Sequence, residues 1–313
     1  MNGLDSRHEK QKKVVVTGAS GFIGSYLVRE LLSRGATVYG VGTNAAKLEA
    51  YHFGANFIPV VASFPEYASL DKRITEDSID VFYHLAWQGI FTPAMYDYTA
   101  QLSSAKAACD ALCSALKLGC GKFVFAGTVN ELDILRITKN GDLTPRKTHI
   151  HASTKLAADA ILRTLAHNNH MDYCSALIPM LFGVGSDSPQ IINTVIKNCC
   201  AGEPTRLIEG NNLYDVVHVS DVAEALYHIG ESGADLRSYY IGHRKLKTFR
   251  EIITEIRDII NPNAELRFGE YQDNLNLDYS YTDLDALFRD TGFECHADFE
   301  KAIKEQAEWL RMG

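Results

Sequence analysis

The stretch V-V-V-T-G-A-S-G-F-I-G-S, residues 14–25, decides the fold of this 313-residue chain. A short β-branched run leads directly into glycines spaced G-x-x-G-x-x-G and then into an amphipathic helical pattern. Gly18 allows a tight turn, Gly21 lets a pyrophosphate approach the backbone, and Gly24 lets the helix lie close to the strand. The free N–H groups at the start of the helix favour phosphate. The pattern predicts a Rossmann fold that binds a dinucleotide. The other predicted cofactor contacts in this loop are Ser20, Phe22 and Ile23.

Short β-branched runs alternate with helical patterns over the first two thirds of the chain, which is typical of a doubly wound parallel sheet. The predicted fold class is therefore α/β. A Rossmann domain is expected over residues 12–185, joined by parts of 212–245, with a smaller substrate-binding lobe mainly over 186–313. In this lobe, helices are predicted to start at Thr248, where Glu251 completes a capping box, and at Thr282. The predicted strands are residues 14–17, 37–41, 57–61, 81–84, 123–125 and 173–178.

Apolar residues recur at steps of three and four between the fourth and fifth predicted strands, which indicates one long helix with an apolar stripe. Thr92 and Pro93 suit its N-cap and first turn. The stripe is expected to pack on the sheet. A second face of so long a helix could meet a partner subunit, which leaves a homodimer open. The stripe consists of Met95, Tyr98, Leu102, Ala105, Cys109, Leu112 and Leu116.

Composition narrows the classes of partner. The net charge of −8 gives no electrostatic reason to approach nucleic acid or an anionic membrane. The polar N-terminal residues lack the apolar run of a secretory signal, so a cytoplasmic location is expected. The seven cysteines are interpreted as free thiols, and no metal site is predicted, since no His or further Cys joins Cys109 and Cys113. A small-molecule partner is the expectation that remains.

Five segments resemble the extended short-chain dehydrogenase/reductases, the group of nucleotide-sugar epimerases, dehydratases and reductases. They are T-G-A-S-G-F-I-G (17–24), I-D-V-F-Y-H-L-A-W (79–87), K-F-V-F-A-G-T (122–128), I-P-M-L-F-G-V-G (178–185) and D-V-V-H-V-S-D-V-A-E-A-L (215–226). The resemblance implies hydride transfer between a nicotinamide dinucleotide and a sugar carbinol or ketone. It also implies cofactor contacts at Leu85, Ala86 and Pro179.

The chain departs from this family at the reaction centre. The family places a Tyr four residues before a Lys, with a Ser or Thr from the fifth strand, whereas this chain has H-A-S-T-K, with His151, Lys155 and Thr128 in those roles. Residues i and i+4 share a helical face, so the ammonium can tune the acid/base beside it. A neutral His151 could replace the Tyr as proton shuttle. Alternatively, the protein binds its cofactor without turnover, as a sensor, with Lys155 still holding the nicotinamide ribose as the resemblance implies.

The end of the second strand bears on the choice of cofactor. NAD-specific folds place an acidic residue there, which binds the ribose hydroxyls and repels a 2′-phosphate. This chain has Gly42 at that position, followed by Thr43 and Asn44, with Lys47 nearby. Either NAD or NADP is expected, with NADP favoured by charge. Thr43 and Asn44 could equally be turn and helix-cap residues.

The predicted substrate contacts are Trp87, Gln88, Met180 and Tyr214. Trp87 and Gln88 follow the fourth strand, and an aromatic ring beside an amide suits a sugar. Tyr214 stands where the family often carries an Arg for a nucleotide diphosphate, and Met180 where many members carry an Asn. The resemblance therefore implies a sugar-nucleotide substrate, while these two substitutions leave a different carbonyl substrate open.

Overall fold

The computed structural model describes residues 11–51, 53–76, 78–141, 144–272 and 277–312. Its centre is a seven-stranded sheet with the order β11-β6-β5-β4-β1-β2-β3, in which every pairing is parallel. All six predicted strands are present, most of them within a residue of their predicted limits. The strands of this sheet are β1 Lys13–Thr17, β2 Thr37–Gly42, β3 Phe57–Val61, β4 Val81–His84, β5 Lys122–Thr128, β6 Asp172–Ile178 and β11 Arg237–Tyr240.

The middle strands are buried on both faces, which explains their continuous apolar sequences. Val15 and Val16 of β1 and Phe123 of β5 are fully buried. The chain runs from β1 to β2 and β3 on one side and then crosses to β4 on the other. The order therefore reverses between β1 and β4, and a crevice opens at the carboxyl ends of these two strands, where doubly wound sheets bind ligands.

Helices cover both faces of the sheet. One face carries α1 Phe22–Ser33 and α7 Val219–Ser232, and the other carries α3 Tyr98–Lys117 and α5 His149–Asn168. The short α2 Ala45–Glu49 follows β2, and α4 Asn130–Asn140 follows β5. The helix that begins at Phe22 and the helix that contains His151 both start close to the carboxyl edge of the sheet.

The predicted apolar stripe packs on the core only in part. Leu112 is buried, and Ala105, Cys109 and Leu116 are partly buried against the same core. The prediction is wrong for Tyr98 and Leu102, which are 68% and 58% exposed. Small and polar side chains fill the inner face, because they allow α3 to approach α5 and the sheet closely. The predicted start is also wrong, since Thr92 precedes a separate 3-10 turn at Pro93–Tyr96, and Asp97 caps α3 by accepting from Thr99 N. The buried residues of α3 are Gln101, Ser104, Ala107, Ala108, Ala111, Leu112, Ser114 and Ala115.

The smaller lobe has a core of its own between α6 Ile191–Ala201, α8 Phe249–Ile260 and α10 Phe299–Met312. The predicted capping box of Thr248 and Glu251 is confirmed at the start of α8. The predicted start at Thr282 is wrong: α9 Ala286–Thr291 begins after Asp285, since Asp283 Oδ1 accepts from Asp285 N and forms a turn first. The short strand pairs are β7 Met180–Phe182 with β10 Val216–His218, β9 Leu213–Tyr214 with β12 Lys247–Thr248, and β8 Thr205–Leu207 with β13 Leu266–Phe268.

The seven cysteines are all free thiols. Across the described ranges, no three His, Cys, Asp or Glu side chains form a group that could hold a metal ion. Nor does any helix there combine the length and apolarity needed to cross a membrane. The domain boundaries stay a prediction.

Candidate functional site: the cavity at the carboxyl edge of the sheet

The glycine loop is closed so tightly that side chains are excluded from it. Gly18 has a φ of +71°, and a Cβ there would lie 3.1 Å from Ala86 N. A Cβ on Gly24 would lie only 2.0 Å from Gly18 O. Gly21 N donates to Gly18 O over 2.8 Å, and α1 begins at the next residue with no side-chain cap. The loop therefore offers a bare backbone and a helix N-terminus, which suits a pyrophosphate.

Thr17 and His84 join the ends of β1 and β4 beneath this loop. Thr17 Oγ1 accepts from Leu85 N and Ala86 N over 3.2 and 3.3 Å and lies 3.0 Å from His84 Nδ1. Burial, reinforced by Lys155, lowers the pKa of His84 to about 3. These contacts hold the edge of the crevice, and the sequence patterns did not single out either side chain.

A cavity of about 460 Å³ lies between this edge and the smaller lobe. It brings together most of the predicted site residues, including the glycine loop, the predicted catalytic residues and three of the four predicted substrate contacts. Those that line it are Gly18, Gly21, Phe22, Ile23, Gly24, Leu85, Trp87, Thr128, His151, Lys155, Pro179, Met180 and Tyr214. The predicted residues outside its lining are Ser20, Thr43, Asn44, Ala86 and Gln88.

The predicted catalytic residues lie on two elements. Thr128 ends β5, while His151 and Lys155 lie one turn apart on the unbroken helix α5. His151 is almost fully buried, and its burial together with the Lys155 charge lowers the pKa of the imidazole to about 3. At neutral pH the ring is therefore uncharged.

Lys155 points inward rather than toward open solvent. Its Nζ donates to Ala126 O over 2.5 Å and lies 4.0 Å from the centre of the Trp87 ring. Burial lowers the pKa of Lys155, against the opposing effect of Glu131. Burial likewise raises the pKa of Glu131. This buried pair lies directly behind Thr128, whose N–H donates to Glu131 Oε1 over 2.8 Å.

Gln101 is the central polar residue that the sequence patterns missed. Its Nε2 donates to the backbone carbonyls of Gln88 and Ala94 over 3.0 and 2.9 Å. Its Oε1 accepts from Trp87 Nε1 over 2.7 Å and lies 3.0 Å from His151 Nδ1. Gln101 is fully buried on α3, a helix whose predicted inner face did not include it. It holds the segment after β4 against the predicted catalytic helix.

The lobe supplies the opposite wall of the cavity. Asp215 lies there beside Tyr214 and accepts from Tyr240 Oη over 2.5 Å and from His243 N over 2.8 Å. The hydrogen bond to Asp215 raises the pKa of His243. Among the described lining residues, the ones with an ionisable acid or amine side chain are Lys155 and Asp215. The wall that faces the predicted catalytic helix is therefore poor in cations.

The end of β2 has no carboxylate at the expected position. A Cβ on Gly42 would lie 3.3 Å from both Leu48 Cδ2 and Ser20 Oγ, so the space beside it is occupied. Asn44 caps α2, accepting from Lys47 N over 3.0 Å. In this structure Asn44 therefore acts as a helix cap, which is the second of the two interpretations that the sequence left open.

Comparisons with known proteins agree with the fold and the loop. The model of the NAD dependent epimerase/dehydratase family matches residues 14–242. A dTDP-glucose 4,6-dehydratase of Neisseria gonorrhoeae is 22% identical over 350 residues, covering 96% of each chain. A UDP-glucose 4-epimerase of Mycolicibacterium smegmatis is 26% identical over 269 residues, covering 82% of this chain and 85% of that relative.

Solved structures show the same architecture. A UDP-glucuronic acid 4-epimerase from Bacillus cereus, in complex with NAD and a fluorinated UDP-sugar, has a TM-score of 0.78 at 18% identity, covering 96% of this chain and 99% of that one. A dTDP-glucose 4,6-dehydratase from Streptomyces venezuelae, solved with NAD, has a TM-score of 0.76 at 20% identity, covering 96% and 97%. The family supports an enzyme over a non-catalytic sensor. The chain belongs to the NAD-dependent epimerase/dehydratase family, within the extended short-chain dehydrogenase/reductases that its motifs resemble.

Proposed function

We propose that this protein transfers a hydride between the nicotinamide of NAD(P) and a carbinol or ketone carbon of a nucleotide sugar, in an epimerase, dehydratase or reductase reaction. One observation carries the proposal: a single cavity is lined by the glycine loop, by Thr128 and His151, and by Met180 and Tyr214. A cofactor and a substrate could thus reach the same proton-transferring groups.

In the proposed reaction, each residue of the site would have a separate role. Gly18, Gly21 and Gly24 would hold the pyrophosphate at the start of α1, and the bound nicotinamide would supply or accept the hydride. Thr128 would hold the substrate oxygen by a hydrogen bond. His151, uncharged at neutral pH, would take the proton of a substrate hydroxyl. Burial, reinforced by the nearby Lys155, would keep His151 uncharged.

The predicted contact of Lys155 with the nicotinamide ribose stays a prediction. In this structure its ammonium is committed to Ala126 O and to the face of Trp87. Trp87 therefore contributes to the site by shielding Lys155 as well as by lining the cavity. The predicted contact of Gln88 with substrate has no support from the lining, where its side chain is absent.

A nucleotide sugar is the substrate class that the relatives' names support, since they include dTDP-glucose and UDP-glucose enzymes. Tyr214 and Met180, two of the predicted substrate contacts, line the cavity. With so few cations in that wall, the diphosphate would be held by neutral donors such as Tyr214 and Ser188. Binding of UDP and dTDP, measured separately from the sugar, tests this point.

NADP is proposed as the preferred cofactor, by charge. No carboxylate occupies the position at Gly42 that would repel a 2′-phosphate, and Lys47 lies nearby on α2. Structural neighbours were solved with NADH or NAD, which supports a nicotinamide dinucleotide as the cofactor. They do not bear on the choice of NADP over NAD. Equal or tighter binding of NAD would contradict the preference.

A homodimer is proposed through the exposed face of α3 and α5. Tyr98, Leu102 and Ile161 are apolar, lie on these two packed helices, and are 68%, 58% and 49% exposed. Burying such side chains against a second copy would remove apolar surface from water. Sedimentation of the wild type and of Leu102→Glu tests the proposal: the expected result is a dimer that the substitution converts to a monomer, and a monomeric wild type would contradict it. The cytoplasmic location stays a prediction.

The first experiment is calorimetric titration of the purified protein with NAD, NADP, their reduced forms, UDP and dTDP. Turnover of UDP-glucose and dTDP-glucose is then followed by nicotinamide absorbance and by product analysis. His151→Ala is expected to abolish turnover while leaving dinucleotide affinity unchanged. Normal turnover by His151→Ala, or no dinucleotide binding by the wild type, would overturn the proposal.

A further inference from the structure

The side-chain amide of Gln101 has only one orientation consistent with its neighbours. Its nitrogen faces two backbone carbonyl oxygens, of Gln88 and Ala94, and a carbonyl can only accept. Both N–H groups of the amide are therefore used. On the other side, Oε1 faces the indole N–H of Trp87, which can only donate. These three hydrogen bonds thus fix the orientation of the amide independently of its contact with His151.

This orientation determines the protonation of His151. The atom 3.0 Å from His151 Nδ1 is Gln101 Oε1, which carries no hydrogen, so Nδ1 must carry one and donate it. In an uncharged imidazole the other nitrogen, Nε2, then holds a lone pair. Within the described ranges, Nε2 has no hydrogen-bond partner, and His151 lines the cavity.

Two further contacts hold the ring in this position. Trp87 packs edge-on against His151, with ring centres 6.1 Å apart and planes at 81°. The indole that packs on the ring also shares Gln101 Oε1 with it, so one amide orients both aromatic groups. An imidazole flipped by 180° about the Cβ–Cγ bond would exchange Nδ1 with Cδ2, so a carbon would face Oε1 and the hydrogen bond would be lost.

We propose that Gln101 is a positioning residue that fixes His151 as the Nδ1–H tautomer and presents the Nε2 lone pair to the cavity as the proton acceptor. The use of that lone pair on a substrate rests on the proposed function. In that step the hydroxyl O–H bond breaks, its electron pair stays on oxygen, and Nε2 takes the proton. The imidazolium formed keeps its Nδ1–H bond to Gln101 Oε1, so the acceptor does not have to reorient.

Tautomer measurement tests the proposal without any turnover. Protein labelled with ¹⁵N-histidine is examined by long-range proton–nitrogen correlation at neutral pH, and the His151 signals are assigned by their loss in His151→Asn. The expected spectrum has a pyrrole-like Nδ1 and a pyridine-like Nε2. The opposite pattern would overturn the proposal.

Substitution then tests the part played by Gln101. Gln101→Met keeps the length of the side chain and removes the acceptor, so a mixture of tautomers is expected. Ser104→Ala is the matched control, because Ser104 lies on the same buried face of α3 and supports the same segment by accepting from Gln88 N, while its described hydrogen bonds do not include His151. It should keep the wild-type tautomer. An unchanged tautomer in folded Gln101→Met would overturn the role of Gln101, and if that variant does not fold, the wild-type spectrum still decides the tautomer.

Kinetics separate this inference from the proposed function. With a substrate that turns over, Gln101→Met should lower kcat by about ten- to a hundredfold, a part of what general acid/base catalysis contributes, with little change in the KM for cofactor. A lower affinity with unchanged kcat would contradict a positioning role. If the wild type shows the expected tautomer but neither binds a dinucleotide nor turns over any substrate, the proposed function fails while the assignment of Gln101 stands.

Discussion

Acidification from pH 7 to pH 5 should remove stability through two buried histidines, His84 and His151. Burial lowers the pKa of each imidazole from 6.5 to about 3. In this range the unfolded chain therefore binds protons that the native state does not bind. The free energy of unfolding rises with pH wherever the unfolded state binds more protons, so the stability is present above pH 6.5 and is lost as the pH falls toward 3.

The magnitude follows from the two pKa values. Each group contributes about 1.4 kcal/mol per pH unit between its native and unfolded pKa. Acidification to pH 5 crosses about 1.5 units of that range, which costs about 2 kcal/mol for each histidine. Glu131 acts in the opposite direction, because burial raises its pKa and makes the native state bind a proton that the unfolded chain releases above its ordinary pKa. The pH dependence of the wild-type free energy of unfolding therefore contains opposing contributions from the two histidines and from Glu131.

Variants isolate the histidine contribution. The free energy of unfolding is measured by urea denaturation at pH 7 and pH 5 for the wild type, His84→Asn and His151→Asn. Each variant should lose about 2 kcal/mol less than the wild type over this interval. The exposed His167, replaced by Asn, controls for removing one imidazole from α5. If His84→Asn and His151→Asn lose as much stability as the wild type, the reasoning from burial is wrong.

Three further predictions concern the loop, the cofactor and the lobe. Gly24→Ala should abolish dinucleotide binding in calorimetry and lower the Tm, because its Cβ would lie 2.0 Å from Gly18 O; retained affinity would contradict the close approach. Gly42→Asp should weaken NADP binding by about tenfold or more relative to NAD, since a carboxylate repels the 2′-phosphate; an unchanged ratio would refute the charge argument. Thr248→Ala should cost about 1 kcal/mol of unfolding free energy by removing the cap that Glu251 completes, with no effect on cofactor affinity.

Patterns among residues close in sequence made the fold, the glycine loop and the pairing of His151 with Lys155 predictable. The strand before the loop and the helix after it are recognised from neighbouring residues, and so are the three glycines between them. The i, i+4 spacing likewise placed His151 and Lys155 on one helical face. Each of these inferences depends on interactions within a few residues, which is the range over which a sequence pattern carries information.

The inner face of α3 could not be predicted in the same way. Periodicity favoured the larger apolar residues, yet Leu102 faces outward and Gln101 faces inward. Close packing against α5 selects small side chains there, and the buried amide is tolerated only because all its polar atoms find partners. Those partners lie 7 to 50 residues away from Gln101 in the chain, so no local sequence pattern predicts them.

The sequence by itself thus determined the Rossmann architecture, the bare glycine loop and the pairing of His151 with Lys155, because these follow from local spacing. Only the tertiary structure decided that Lys155 turns toward Trp87, that Glu131 lies buried behind Thr128, and that Gln101 faces His151. Burial sets the pKa of these groups, and long-range packing sets burial, so the chemistry of the site is a property of the folded chain.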